Sequence, residues 1–197
     1  MAGLWTIGRW ALVAALTVLA GCGGVPHMRE AEPGELLSAP PAGKVLVNFN
    51  RDSGYGGHRV YAFFDGTRFV GCNKGAQRVQ YVCEPGQHVF IGYLTSSIWA
   101  TVSVVDAELL PDKVYDCIVD IGYFTAMIAM NPLKRGDARR GRLADWDEDQ
   151  DTLVLDPEGR AVRYEAEQAE TNQKILDEHK TKERDPAKVL APDDHRD

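Results

Sequence analysis

Cysteine and positive charge are both scarce in this chain. Its 197 residues hold four cysteines, at positions 22, 72, 83 and 117, too few for a disulfide-scaffolded fold. No Cys-x-x-Cys pair and no neighbouring pair of histidines occurs, which excludes a zinc knuckle. Lysine and arginine number 22 against 29 acidic residues, a net charge of −7. A duplex partner needs a basic face, so nucleic acid is excluded too. No apolar run approaches the ~20 residues that cross a bilayer as a helix. Gly-x-Ser-x-Gly is absent, and Ser53, Ser96, Ser97 and Ser103 sit in no catalytic signature, so a serine hydrolase is not expected. Gly54-Tyr55-Gly56-Gly57 fails as a dinucleotide loop, because Arg59 stands where the third glycine belongs and a strand follows. What is left, with 44 % hydrophobic and 26 % charged residues, has the composition of one globular domain with room for an appendage.

The first residues carry a signal. Arg9 is the only charge before an apolar run from Trp10 to Leu19, which ends in Ala20-Gly21-Cys22. Ten to twelve apolar residues at about 1.5 Å each reach only about half of a hydrocarbon core of ~30 Å. The layout is that of a secretory signal. Leu19-Ala20-Gly21-Cys22 resembles the lipobox of bacterial lipoproteins. That resemblance implies that residues 1–21 are removed and that Cys22 is acylated and becomes the first mature residue. The lipid bilayer is then a partner through Cys22, stably so, because two or more acyl chains hold where one binds reversibly. Gly23 in place of an aspartate resembles the outer-membrane sorting pattern, so the expected location is the cell envelope, outer rather than inner membrane, facing the periplasm or the surface.

Cleavage removes Arg9 and no acid, so the mature charge is −8. In an oxidising compartment the three remaining cysteines permit one bridge. Cys72 and Cys83 flank an expected hairpin and are the first pairing to consider; the alternative is that all three are small core residues.

Residues 22–43, with four Gly and four Pro from 23 onward, read as a lipidated cysteine and a tether. Residues 44–133 read as seven or eight short strands: 44–50, 59–64, 67–72, 77–83, 87–94, 99–109, 113–121 and 123–130. Asp65-Gly66 is a hairpin signal of type I′. The expected fold is all-β, a small antiparallel β-sandwich with a charged C-terminal helical appendage. In residues 134–197, 13 basic and 18 acidic side chains crowd 64 positions. A helix is expected over about 157–184, with Asp156 as N-cap and Pro157 at its start. Its apolar positions, Val162, Ala166, Ala169, Ile175 and Leu176, are too few for a strong core stripe, so it reads as solvated or awaiting a partner. A disordered tail from Pro186 follows.

The strand after Pro41-Ala42-Gly43-Lys44, the Tyr61-Ala62-Phe63-Phe64-Asp65-Gly66 hairpin with Val70-Gly71 on its return arm, Glu84-Pro85-Gly86-Gln87-His88 and the Lys113-Val114-Tyr115 strand resemble the DUF2846-type lipoprotein domain, itself close to PEGA-like surface modules. The resemblance covers residues 41–131. It implies a small envelope β-sandwich without catalytic residues. Asp116, Asp120 and the long charged C-terminal segment depart from it.

Two ligand chemistries are open to the sequence. Asp147, Asp149, Asp151 and Glu158 match the first, third, fifth and twelfth places of a calcium loop, although Thr152 holds the place of the turn glycine. Tyr55, Tyr93, Trp99 and Trp146 could stack a glycan, or lie in the core. His58 and His88 read as a solvated and a strand-edge histidine. No cofactor is expected and no catalytic set is found. The function expected is a non-enzymatic, membrane-anchored lipoprotein contacting another envelope protein. The alternative is a module binding cell-wall glycan or calcium.

Overall fold

Val45–Asn50 is buried along its whole length, as a strand covered on both faces must be. Around this strand, β2, the computed structural model describes residues 25–51, 58–121, 128–156 and 160–196. The other strands are β1 (Met28–Glu30), β3 (Tyr61–Asp65), β4 (Arg68–Asn73), β5 (Gln77–Cys83), β6 (Gly86–Leu94), β7 (Ser103–Leu109), β8 (Lys113–Ile121), β9 (Ile128–Pro132), β10 (Asp151–Leu155) and β11 (Val189–Leu190). Three α-helices, α1 (Ile98–Thr101), α2 (Leu143–Asp149) and α3 (Arg160–Lys180), and four short 3-10 segments complete the described elements. The fold is predominantly β and sandwich-like, though not strictly all-β. One sheet runs β1-β10-β5-β2-β8-β9 and the other β11-β7-β6-β3-β4.

Alternation along the strands builds the core. Val45, Val47 and Phe49 of β2 face the second sheet, where Phe49 stacks on Phe63 at 4.7 Å and meets Phe90 edge-on at 5.3 Å. On the far side of the second sheet Phe64 stacks on Tyr93 at 5.3 Å and touches Phe69. Gly66 has φ +59 and is the first loop residue between Asp65 and Arg68. The positive φ falls on that residue alone, the pattern of a II′ turn and not I′.

The sheets are mixed, not antiparallel. β2 pairs parallel with β8, β5 with β10, and β7 with β11. Each parallel junction joins strands far apart in the chain, because parallel neighbours need a long crossover. The expected strand from Trp99 begins instead with the helical turn α1, and β7 starts at Ser103. The expected last strand starts at Ile128 within the described residues, and the turn over 52–57 lies outside them.

Residues from Val25 onward are not a tether. Val25 and Met28 are buried, β1 pairs with β10, and Met28 packs where any side chain on Gly71 would collide with it. Gly71 has φ +154, and a Cβ there would stand 2.8 Å from Val79 and 2.9 Å from Met28. The N-terminal arm can enter the core only because that residue has no side chain.

The charged segment is no appendage either. Helix α3 lies across the second sheet: Glu165 accepts the Phe69 amide of edge strand β4 at 2.6 Å, Tyr164 packs on Phe69 and Phe64, and His179 reaches Asp106 of β7 at 3.1 Å. Asn172 and Ile175 are buried between. The stripe is half polar because several of its partners are polar, which is why its apolar residues alone undercount it. The tail past Pro186 is also ordered: Leu190 is fully buried in β11, Pro192 accepts the Tyr115 hydroxyl at 2.9 Å, and Asp194 accepts the Arg135 amide at 2.7 Å.

Candidate functional site

Asn48 and Asn50 alternate with the core residues of β2 and therefore point to the outer face of the first sheet. Beside them on β8, Asp116 is 2 % exposed. It accepts Asn48 Nδ2 at 3.2 Å and Asn50 Nδ2 at 3.0 Å. Arg196 grips it with both Nε and Nη2 at 2.7 Å, the bidentate geometry that suits a guanidinium to a carboxylate. The same guanidinium donates to Asp147 of α2 at 2.6 Å, and Arg78 of β5 pairs with the other Asp147 oxygen. Arg78 also donates to Thr152 of β10 at 2.9 Å. Gln80 links Asn48 at 3.1 Å to the backbone of Leu37.

Arg78, Arg196 and Asp147 line a recess of about 220 Å³ together with Leu36, Leu46 and Val114, and Asp116 lies buried beside it in the grip of Arg196. Their charges cancel and their polar atoms are spent on one another. Burial pulls the Arg196 guanidinium down, yet Asp116 and Asp147 together hold it above its ordinary value. The arrangement has no spare charge for an anion or a metal. What it does is tie Arg196 directly to β8 and α2 and, through Asp116 and Asp147, to β2 and β5.

A second polar cluster closes the gap between the sheets. Asp65 accepts the Tyr81 hydroxyl at 3.0 Å and lies 2.7 Å from His88 Nδ1, whose other nitrogen is 2.9 Å from the Glu84 carbonyl. Both ring nitrogens face acceptors, so the doubly protonated ring satisfies both. The hydrogen bond to Asp65 accordingly raises the His88 pKa. Nearby Cys83 is pushed up to about 12, first by burial and then by Asp65 and Glu84. It is a protonated thiol and a poor nucleophile. A histidine, an acid and a cysteine meet here without forming an activated set.

The sequence-predicted positions scatter. Cys22 and Glu158 lie outside the described residues. Cys72, Cys83 and Cys117 are buried free thiols, so the Cys72–Cys83 bridge is not made. The reason is that β4 and β5 are not hairpin partners: Cys72 pairs opposite Ala62 in the second sheet and Cys83 opposite Val45 in the first. The Cys72 thiol instead donates to the Pro26 carbonyl at 3.0 Å. The acidic run is no calcium loop, since Asp147 and Asp149 fall in α2, Asp151 opens β10, and Asp147 is held by two arginines. Among the described residues no three His, Cys, Asp or Glu side chains form a metal group. Trp146 and Tyr93 are buried on opposite outer faces of the sandwich, Trp146 with Ile118 and Leu133, Tyr93 under α3. They cannot form one stacking surface. Tyr55 and the Trp99 side chain lie outside the description. His58 is exposed.

Arg196, Arg78 and Asn50 are the residues that sequence reasoning passed over. The available signal was Asn48 and Asn50 at alternate places in an apolar strand, opposite Asp116 in another. No protein family matches the sequence, and no curated protein is similar enough to count as a relative.

Proposed function

We propose that this protein is an envelope lipoprotein, held in a bilayer by acyl chains on Cys22, whose folded domain performs no chemistry and works by contact with another envelope protein. The observation that carries the reading is Leu19-Ala20-Gly21-Cys22 at the end of a short apolar run behind a single positive charge. Gly23 favours the outer membrane, and the likeness of residues 41–131 to lipoprotein surface modules favours a non-enzymatic role. The domain supports this, because its two charged clusters neutralise themselves and its described cysteines are buried and protonated. The outward side of α3, with Glu170, Lys174, Asp177 and Glu178, and the exposed polar surface of the second half of the chain suit a polar protein contact.

The test is the intact mass of detergent-extracted protein beside a Cys22→Ala variant. A chain beginning at Cys22 with added acyl mass, lost in the variant and unshifted by reductant, is expected. An unacylated chain cut elsewhere overturns the reading.

A further inference from the structure

We infer that the domain stands on the bilayer by one defined side, the edge formed by β1, β4 and the start of α3, with Leu155 and Val162 at the lipid interface. This rests on the anchor at Cys22. The argument is one of reach. Val25 is only 6 % exposed, and three Cα–Cα steps of about 3.8 Å separate it from Cys22, so the leash is at most about 11 Å. A domain of about 170 residues has a radius of gyration near 16 Å. A body of that size on so short a leash cannot turn another side to the membrane.

The exit point is itself held rigidly. The Cys72 thiol donates to the Pro26 carbonyl at 3.0 Å, and the Asp156 amide to the His27 carbonyl at 2.9 Å. His27 has φ +64 and stacks on Tyr164 at 4.9 Å. Two of the four large apolar side chains exposed among the described residues belong to the elements that grip it. Leu155, 40 % exposed, stands opposite Met28, and Val162, 72 % exposed, is in the first turn of α3. Such residues are stabilised when they leave water for the interface, because burying apolar surface is favourable. The two sheets end in β1 and β4 on this side and in β9 and β11 on the other. The β9–β11 edge, with Lys134, Arg139 and Arg140 near it, therefore points away from the lipid, where a partner can reach it.

Single cysteines placed at Leu155, Val162, Leu110 and Asp193, each in the full acylated protein, test this. All four are surface positions, the thiols of Cys72, Cys83 and Cys117 are buried and acylation occupies that of Cys22, so a maleimide fluorophore reports the new site. The protein is put in phosphatidylethanolamine–phosphatidylglycerol vesicles carrying lipids spin-labelled near the headgroup. Quenching should be several-fold stronger at 155 and 162 than at 110 and 193. A Gly/Ser spacer of about twelve residues between Gly24 and Val25, reaching about 20 Å, should abolish the difference. Equal quenching at all four sites, or none at 155 and 162, on protein whose acyl mass is intact overturns the orientation alone. A chain without acyl mass overturns the anchor reading and this one with it.

Discussion

Replacing Arg196 by methionine should destabilise a domain that it joins only at its last residues. The substitution keeps the side-chain stem and removes the guanidinium, so packing changes little. Asp116, 2 % exposed, loses two hydrogen bonds of 2.7 Å and its only bidentate cation, and keeps Asn48 and Asn50. Breaking a buried ion pair on one side costs about 3–5 kcal/mol. The Arg196 side chain is 21 % exposed, so water can follow it in, and the lower end, about 3 kcal/mol, is expected. The Asp147 contact adds little, since that carboxylate is 41 % exposed and keeps Arg78. For a domain of this size the loss corresponds to about 6–12 °C in Tm. Urea titration should show a lower midpoint at an unchanged slope. The double variant Asp116→Asn with Arg196→Met should recover much of the loss, giving a coupling of about 2 kcal/mol. A change within about 0.5 kcal/mol for Arg196→Met, or strictly additive single and double variants, would refute the tail latch.

Two further outcomes follow from the packing. Ile175→Ala should cost about 2–4 kcal/mol by chemical denaturation, because it empties a site buried beneath α3, while Val162→Ala should stay within about 0.5 kcal/mol; equal small effects would mean that the helix does not cover the sheet. The His88–Asp65 pair raises the histidine pKa, so its contribution is full below the usual value near 6.5 and fades as pH rises through the raised value. The urea midpoint of the protein relative to His88→Gln should therefore fall as pH rises above about 6.5 and through the raised value, and a constant difference would refute a charged His88–Asp65 pair in the fold.

Much of the strand content was legible locally. Val45–Asn50, Gln77–Cys83 and Lys113–Ile121 declare themselves by β-branched and aromatic residues between turn signals, and the structure sets them within a residue of the expected bounds. The Asp65-Gly66 turn was readable for the same reason, since a glycine with positive φ is a local demand. The polar site was not. Asn50 and Asp116 look like flaws in apolar strands until Arg196, 80 positions from Asp116 along the chain, is brought against them.

By itself the sequence determined the short apolar run that ends in small residues before Cys22, the acidic balance, the strands of the central region and the existence of α3. These depend on side-chain size, charge and local backbone preference, all of which act within a few residues. Only the tertiary structure decided that the sheets are mixed, that β4 and β5 part into different sheets and leave Cys72 and Cys83 unbridged, and that Val25–Glu30, α3 and the tail are structural members instead of tether and appendage. The physical reason is shared. Each of these outcomes is a pairing between distant segments, stabilised by surfaces that neither segment possesses alone. A half-polar helix face or the short arm that carries Met28 becomes core only when the sheet offers it Asp106, Tyr93 or the space above Gly71.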